Sequence, residues 1–180
     1  MTLDELALKH GTDKSSKYHD YCKAYEQLFQ PLKSKPITLL EIGVYKGESL
    51  RMWKEFFSYG MIVGVDIDPE CKQYEDSRII IEIADQQTYK TWHKPDIIID
   101  DGSHNPDHFI KTFRNLWPSL NPGGHYCIED LSVCNHCNYP KRYSESLSEF
   151  MHDDIFNFLT GANRQPKAIM MFAKLLVFKK

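Results

Sequence analysis

The 180-residue chain has no apolar run approaching the roughly 20 residues that a membrane-spanning helix needs. The polar stretch Met1–Lys17 lacks the apolar core of a signal peptide. Both absences point to a cytoplasmic protein with no membrane partner. A formal net charge of −3 leaves no basic footprint, which argues against nucleic acid as the main partner. There is no internal repeat, no low-complexity tract and no long Pro/Gly linker, so neither a solenoid nor a tethered domain pair is indicated. In a reducing compartment the five cysteines are expected to be free thiols rather than a disulfide framework. What remains is an ordinary balance of apolar and charged residues, on a chain long enough to bury the core of one domain.

Short apolar runs recur along that chain, each followed by a turn and then a helical pattern. Ile37–Ile42 leads into a glycine-containing turn and a helix with Leu50, Trp53, Phe56 and Phe57 on one face. Met61–Val65 ends in Asp66, Ile79–Ile83 in Ala84-Asp85, and Ile97–Ile99 in Asp100-Asp101. A helix carrying Phe109, Phe113, Leu116 and Trp117 follows, and Asn121-Pro-Gly-Gly124 turns the chain into Tyr126–Ile128 and Glu129-Asp130. Leu147, Phe150, Met151, Ile155, Phe158 and Leu159 form a further helical stripe. Ala168–Phe172 and Leu175–Phe178 read as a closing strand pair around Ala173-Lys174. Continuous rather than alternating apolar strands, separated by helices, predict a doubly wound α/β domain with a mostly parallel sheet covered on both faces. The polar groups collect at the carboxyl ends of the strands, where such sheets bind ligands.

Glu41-Ile-Gly43-Val-Tyr-Lys-Gly47 occupies a strand-to-helix turn in which two glycines let the backbone approach a ligand. A dinucleotide site would call for G-x-G-x-x-G, whereas this pattern is E-x-G-x-x-x-G, with Tyr45 between the glycines. The acid in front suits a cationic amino-acid ligand better than a diphosphate. Asp66 is placed to accept hydrogen bonds from ribose hydroxyls, and Asp85 and Gln86 to read an adenine amino group. Each feature alone also reads as an ordinary turn or cap.

Asp101, Glu129 and Asp130 follow two strands that would be neighbours in a parallel sheet. Converging carboxylates with no cation in the local sequence are costly unless a metal neutralises them. Hard oxygen ligands favour Mg²⁺, or Mn²⁺, over zinc. A metal-bound hydroxyl ionises more easily. His104, three residues beyond Asp101, is the natural general base, because histidine ordinarily changes charge near neutrality.

These segments resemble class I S-adenosylmethionine (SAM)-dependent methyltransferases, whose fold carries the glycine loop, the ribose-binding acid and the adenine contacts after successive strands. The resemblance implies a seven-stranded Rossmann-like sheet with an antiparallel C-terminal pair. It also places Glu41, Gly43 and Gly47 around the methionine part of SAM and Asp66 on its ribose. Gly11-Thr-Asp-Lys14, His19-x-Tyr21-x-x-x-Tyr25-Glu26, Leu40-Glu-Ile-Gly43, Asp101-Gly-Ser-His104 and Gly124-x-Tyr-x-Ile-Glu-Asp130 together are similar to the metal-dependent sugar O-methyltransferases that finish macrolide antibiotics. Cephalosporin 7-hydroxylase-like proteins are more distant. That likeness implies Mg²⁺ on Asp101, Glu129 and Asp130, with His104 as base. The expected acceptor is a hydroxyl of a sugar, a glycosylated small molecule or a glycan. Catechol-type methyltransferases, which usually employ a lysine base, are the alternative enzyme, and a non-catalytic nucleotide-binding module the alternative of another class.

The expected organisation is a single domain, with 1–35 as a helical segment closing over SAM and 36–180 as the Rossmann-like core. Family members carry a long N-terminal domain ahead of the G-T-D-K motif, and they imply a homodimer or larger assembly. Thr12 and Lys14 are expected near the SAM carboxylate, with a helix cap and a solvated charge as the plainer reading. Tyr18, His19 and Tyr21 line the pocket or pack the N-terminal helix. Cys134-x-x-Cys137 with His136 and His125 reads as a substrate loop rather than a zinc site. His104 and His108 would share one face if their segment were helical.

Overall fold

The computed structural model describes residues 1–131, Phe150 and 166–180. They form two compact units, Met1–Ala84 and Asp85–Lys180.

In the first unit, α1 (Leu3–His10) opens on a capping box. The Thr2 hydroxyl accepts from the Glu5 N–H at 3.2 Å, and the Glu5 carboxylate accepts from the Thr2 N–H at 2.9 Å. Two of the helix's orphan donors are thereby satisfied. α2 (Tyr21–Phe29), β1 (Thr38–Ile42), α3 (Glu48–Phe56), β2 (Met61–Asp66) and β3 (Ile79–Ile83) follow. The strands are parallel in the order β3-β2-β1, with Leu40 opposite Val63 and Gly64 opposite Ile81. A parallel sheet is covered on both faces, which is why Leu39, Leu40, Ile62 and Val63 are all fully buried instead of alternating. One covering layer is aromatic. Trp53 meets Tyr25 edge-on at 5.5 Å between ring centroids, and Tyr25 stacks on Phe29 at 5.2 Å. Each such ring buries a large apolar surface, and each ring pair adds roughly 0.5–1.5 kcal/mol.

The second unit runs β4 (Ile97–Asp100), α4 (Pro106–Leu116), β5 (His125–Ile128), β6 (Ala168–Phe172) and β7 (Leu175–Lys179). Its strand order is β4-β5-β7-β6, with β4 and β5 parallel and β7 antiparallel to both β5 and β6. α4 starts where the sequence says it must. The Asn105 side chain accepts from the Asp107 N–H at 3.0 Å, and Pro106 takes the first helical position, where no N–H is needed. Phe113 anchors the core of this unit, with Tyr126, Phe178, Phe150 and Trp117 between 4.9 and 5.4 Å away.

Every expected strand is present, with ends shifted by a residue or so, and the closing pair turns at Ala173-Lys174 as expected. The remainder of the 147–159 stripe, and Cys134, His136 and Cys137, lie outside the described residues. No helix among the described residues is long and apolar enough to cross a membrane.

Candidate functional site

In the first unit, the turn after β1 is held open by its backbone. Gly43, Tyr45 and Gly47 have φ of 93°, 49° and 67°, all in the left-handed region. A side chain at Gly47 would place its Cβ 3.0 Å from Tyr74 and 3.2 Å from Arg51 Nη1, tighter than ordinary contact, on a left-handed φ that favours glycine. Tyr45 is not a glycine and adopts this conformation at a cost of about 1–2 kcal/mol. The compensation comes from Asp66, whose Oδ2 accepts from the Val44 N–H at 2.8 Å and the Tyr45 N–H at 3.2 Å, while Oδ1 accepts from Asp68 N–H at 3.0 Å. Burial raises the Asp66 pKa, but the hydrogen bonds from Asp68, Val44 and Tyr45 outweigh it, and the carboxyl sits below its ordinary range. The acid at the end of β2 therefore shapes the glycine turn.

Glu41 and Lys14 are both wholly buried, with Lys14 Nζ 3.4 Å from Glu41 Oε1. Lys14 is thus not a solvated charge, and it reaches the first residue of the glycine motif. Its own N–H donates to the Thr12 hydroxyl at 3.5 Å, and Thr12 is buried beside it.

In the second unit, Asp85 Oδ1 accepts from the Gln87 N–H at 2.9 Å, a local turn. The Gln86 carboxamide is engaged at both ends: Oε1 accepts from the Ser103 N–H at 2.8 Å, and Nε2 donates to Thr112 Oγ1 at 3.1 Å and Asp100 Oδ1 at 3.3 Å. Asp100, the last residue of β4, is buried and also accepts from the Tyr126 hydroxyl at 3.3 Å. Burial pushes its carboxyl up to about 7, opposed by the Tyr126 hydrogen bond and reinforced by the charge of Asp101.

Asp101, His104 and Asp130 come together after β4 and β5, each offering a ligand atom within 4.8 Å of the others. His104 Nε2 lies 3.9 Å from Asp130 Oδ2, an ion-pair distance rather than a hydrogen bond. His104 and Asp130 both have left-handed backbones, with φ of 54° and 55°. Non-glycine residues adopt this region uncommonly, although aspartate and histidine do so more often than most, and such backbone conformations cluster at functional sites. Two carboxylates and an imidazole form a donor set suited to a divalent cation. Glu129 is also buried, with its N–H donating to the Asp100 carbonyl at 3.0 Å, but its carboxylate is not a member of this three-residue cluster. His108 does not share a helical face with His104, because the helix begins only at Pro106. Its Nδ1 instead meets Ser103 Oγ at 2.8 Å. Ser103 and Tyr126 lie inside the D-G-S-H and G-x-Y-x-I-E-D motifs without a role assigned to them from the sequence, and Thr112 lies in no motif.

A family model described as a methyltransferase domain matches residues 40–131. The chain is 41% identical over 145 residues to the 8-demethyl-8-alpha-L-rhamnosyl tetracenomycin-C 2'-O-methyltransferase of Streptomyces olivaceus, covering 73% of this chain and 38% of that protein. It is 36% identical over 143 residues to the demethylmacrocin O-methyltransferase of Streptomyces fradiae, covering 72% and 36%. It is also similar to the solved structure of the MycE methyltransferase in complex with Mg, SAH and mycinamycin VI. The TM-score there is 0.86 at 28% identity, over 99% of this chain and 54% of that one. The chain therefore spans well under half the length of these curated relatives and about half of the solved chain. The match to MycE bears out the expected class I methyltransferase architecture, mostly parallel with an antiparallel C-terminal pair. With more than half of its residues matching the family model, this chain belongs to the methyltransferase-domain family.

Proposed function

We propose that this chain is the catalytic part of a SAM- and Mg²⁺-dependent O-methyltransferase acting on a hydroxyl of a sugar or glycosylated metabolite. The observation that carries the proposal is the convergence of Asp101, His104 and Asp130 at the ends of the adjacent parallel strands β4 and β5. The names of the 41% and 36% identical relatives support methylation of sugar-bearing small molecules. A cytoplasmic setting accords with the buried cysteines Cys22, Cys71 and Cys127, which form no disulfide among the described residues.

Asp101 and Asp130 would hold the cation, with Glu129 as the further acid that the family resemblance implies. Bound there, Mg²⁺ would act as a Lewis acid on the acceptor hydroxyl and lower the cost of its ionisation. SAM would supply a methyl group on a sulfonium, which passes to the acceptor oxygen and leaves S-adenosylhomocysteine (SAH). The remaining work belongs to the protein. His104 takes the hydroxyl proton on its imidazole, and the acid at Asp130, 3.9 Å away, stabilises the imidazolium that results. The glycine turn of Gly43 and Gly47, shaped by Asp66, supports a ligand that approaches the backbone closely. Glu41 and Lys14 fix the start of that turn, with Thr12 buried beside Lys14.

The decisive experiment screens methyl transfer to sugar nucleotides, glycosylated metabolites and catechols, with Mg²⁺ and with excess chelator. Turnover of a sugar hydroxyl that chelator abolishes supports the reading. Undiminished turnover in chelator, or turnover of catechols alone, would sink it. SAH binding without turnover of any acceptor would favour a non-catalytic module.

A further inference from the structure

The loop Asp101–His104 brings a cluster acid and the histidine into place, yet it lies between a strand and a helix and has no regular backbone pairing of its own. Two side chains hold its amides instead. The Asp100 carboxylate accepts the Gly102 N–H, and Gln86 Oε1 accepts the Ser103 N–H at 2.8 Å. These two side chains also grip each other, Gln86 Nε2 donating to Asp100 Oδ1 at 3.3 Å. The orientation of the carboxamide is dictated by its partners, because a backbone N–H can only donate and must face the amide oxygen. The nitrogen is thereby turned toward Asp100 and toward the Thr112 hydroxyl, 3.1 Å away. Thr112 in turn donates to the His108 carbonyl at 2.8 Å, while His108 Nδ1 meets Ser103 Oγ at 2.8 Å. A closed ring of hydrogen bonds thus links Gln86, Ser103, His108 and Thr112, with Asp100 attached through Gln86.

We propose that Gln86 is a positioning residue for the metal-binding loop, its carboxamide bridging Ser103 and Asp100 so that Asp101 and His104 are presented together. This rests on the reading of Asp101 and Asp130 as cation ligands with His104 as the base beside them. It also changes what Gln86 does. Both ends of the side chain are committed within the protein, so its contribution goes to the metal side of the reaction and not to reading an adenine. Outer-layer hydrogen bonds of this kind orient ligands before the metal arrives and are typically worth about 10–100-fold in affinity. A charged residue would serve badly here: a glutamate would accept from Ser103 but meet the Asp100 carboxylate with a second acceptor.

The test measures Mn²⁺ binding to the full chain by water-proton relaxation, without donor or acceptor, and SAH binding by calorimetry on the same samples. Gln86→Ala should weaken Mn²⁺ binding about tenfold or more, while SAH affinity stays within about twofold. The double substitution Gln86→Glu with Asp100→Asn keeps the net charge and exchanges donor and acceptor across the same bridge. It should return Mn²⁺ affinity to within about threefold of the unsubstituted chain. Weakened SAH binding with Mn²⁺ affinity unchanged would overturn the proposal and restore Gln86 as an adenine contact. Parallel loss of both affinities, not recovered by the exchange, would reduce Gln86 to a packing residue and equally overturn it. Failure of the unsubstituted chain to bind Mn²⁺ would instead remove the cation site itself, and the proposal with it.

Discussion

The imidazole Nε2 of His104 and the carboxylate Oδ2 of Asp130 lie 3.9 Å apart, each residue held in a left-handed backbone conformation after a different strand. That distance suits a pair that works on a third atom between or beside them. A direct hydrogen bond would need to be shorter by more than half an ångström.

If His104 is the base, His104→Ala should lower kcat by about 10²–10⁴-fold, the usual contribution of a positioned proton acceptor. SAH affinity should remain near that of the unsubstituted chain, because the histidine belongs to the chemistry and not to the donor. A labelled-methyl assay paired with calorimetry measures both. Full activity of the variant would remove the proposed mechanism.

The buried pair of Lys14 and Glu41 makes a different prediction. Removing one partner leaves the other charge buried, at a cost of about 3–5 kcal/mol. Lys14→Met and Glu41→Leu should each lower the urea midpoint strongly. The double variant should recover a large part of that loss, because no charge is then stranded. Additive losses in the two single variants would show that the pair is not coupled.

His125 supplies a pH dependence. Burial, reinforced by the charge of Lys179, lowers its pKa from 6.5 to about 4. The unfolded chain therefore takes up the proton at a higher pH than the folded one does. The contribution is intact above about pH 6.5 and declines as pH falls toward 4, by about 3 kcal/mol at most. Urea unfolding between pH 7 and 4 should show a shallower decline in His125→Leu than in the unsubstituted chain. Equal slopes would contradict the assignment.

Gly47→Ala combines a left-handed φ of 67° with a Cβ placed 3.0 Å from Tyr74. Destabilisation of at least about 1–2 kcal/mol is expected from the backbone alone. SAH binding should weaken as well, since the same turn shapes the donor side. Gly11→Ala is the matched control: its φ is 81°, but a Cβ there meets nothing within 4 Å, so strain should appear without the clash.

Much of the fold was legible in the chain itself. Continuous apolar runs such as Ile97–Ile99 specify parallel strands because both faces of such a sheet are covered, and the 3.6-residue stripe of Phe109, Phe113 and Leu116 specifies the helix that packs on them. Asp101, Asp130 and His104 were legible as a candidate cluster because strand order and spacing place the ends of β4 and β5 side by side. What the sequence left open was decided by three-dimensional hydrogen bonding. Lys14 as a buried partner of Glu41, Asp66 as the clamp of the glycine turn, and Gln86 as the tie to Ser103 each depend on contacts between residues far apart in the chain. Local sequence gives the type of group a side chain carries and the element it rides on. Only tertiary packing sets whether that group faces a ligand or is already satisfied by the protein, because burial forces every polar group to find a partner and the nearest one in space need not be near in sequence.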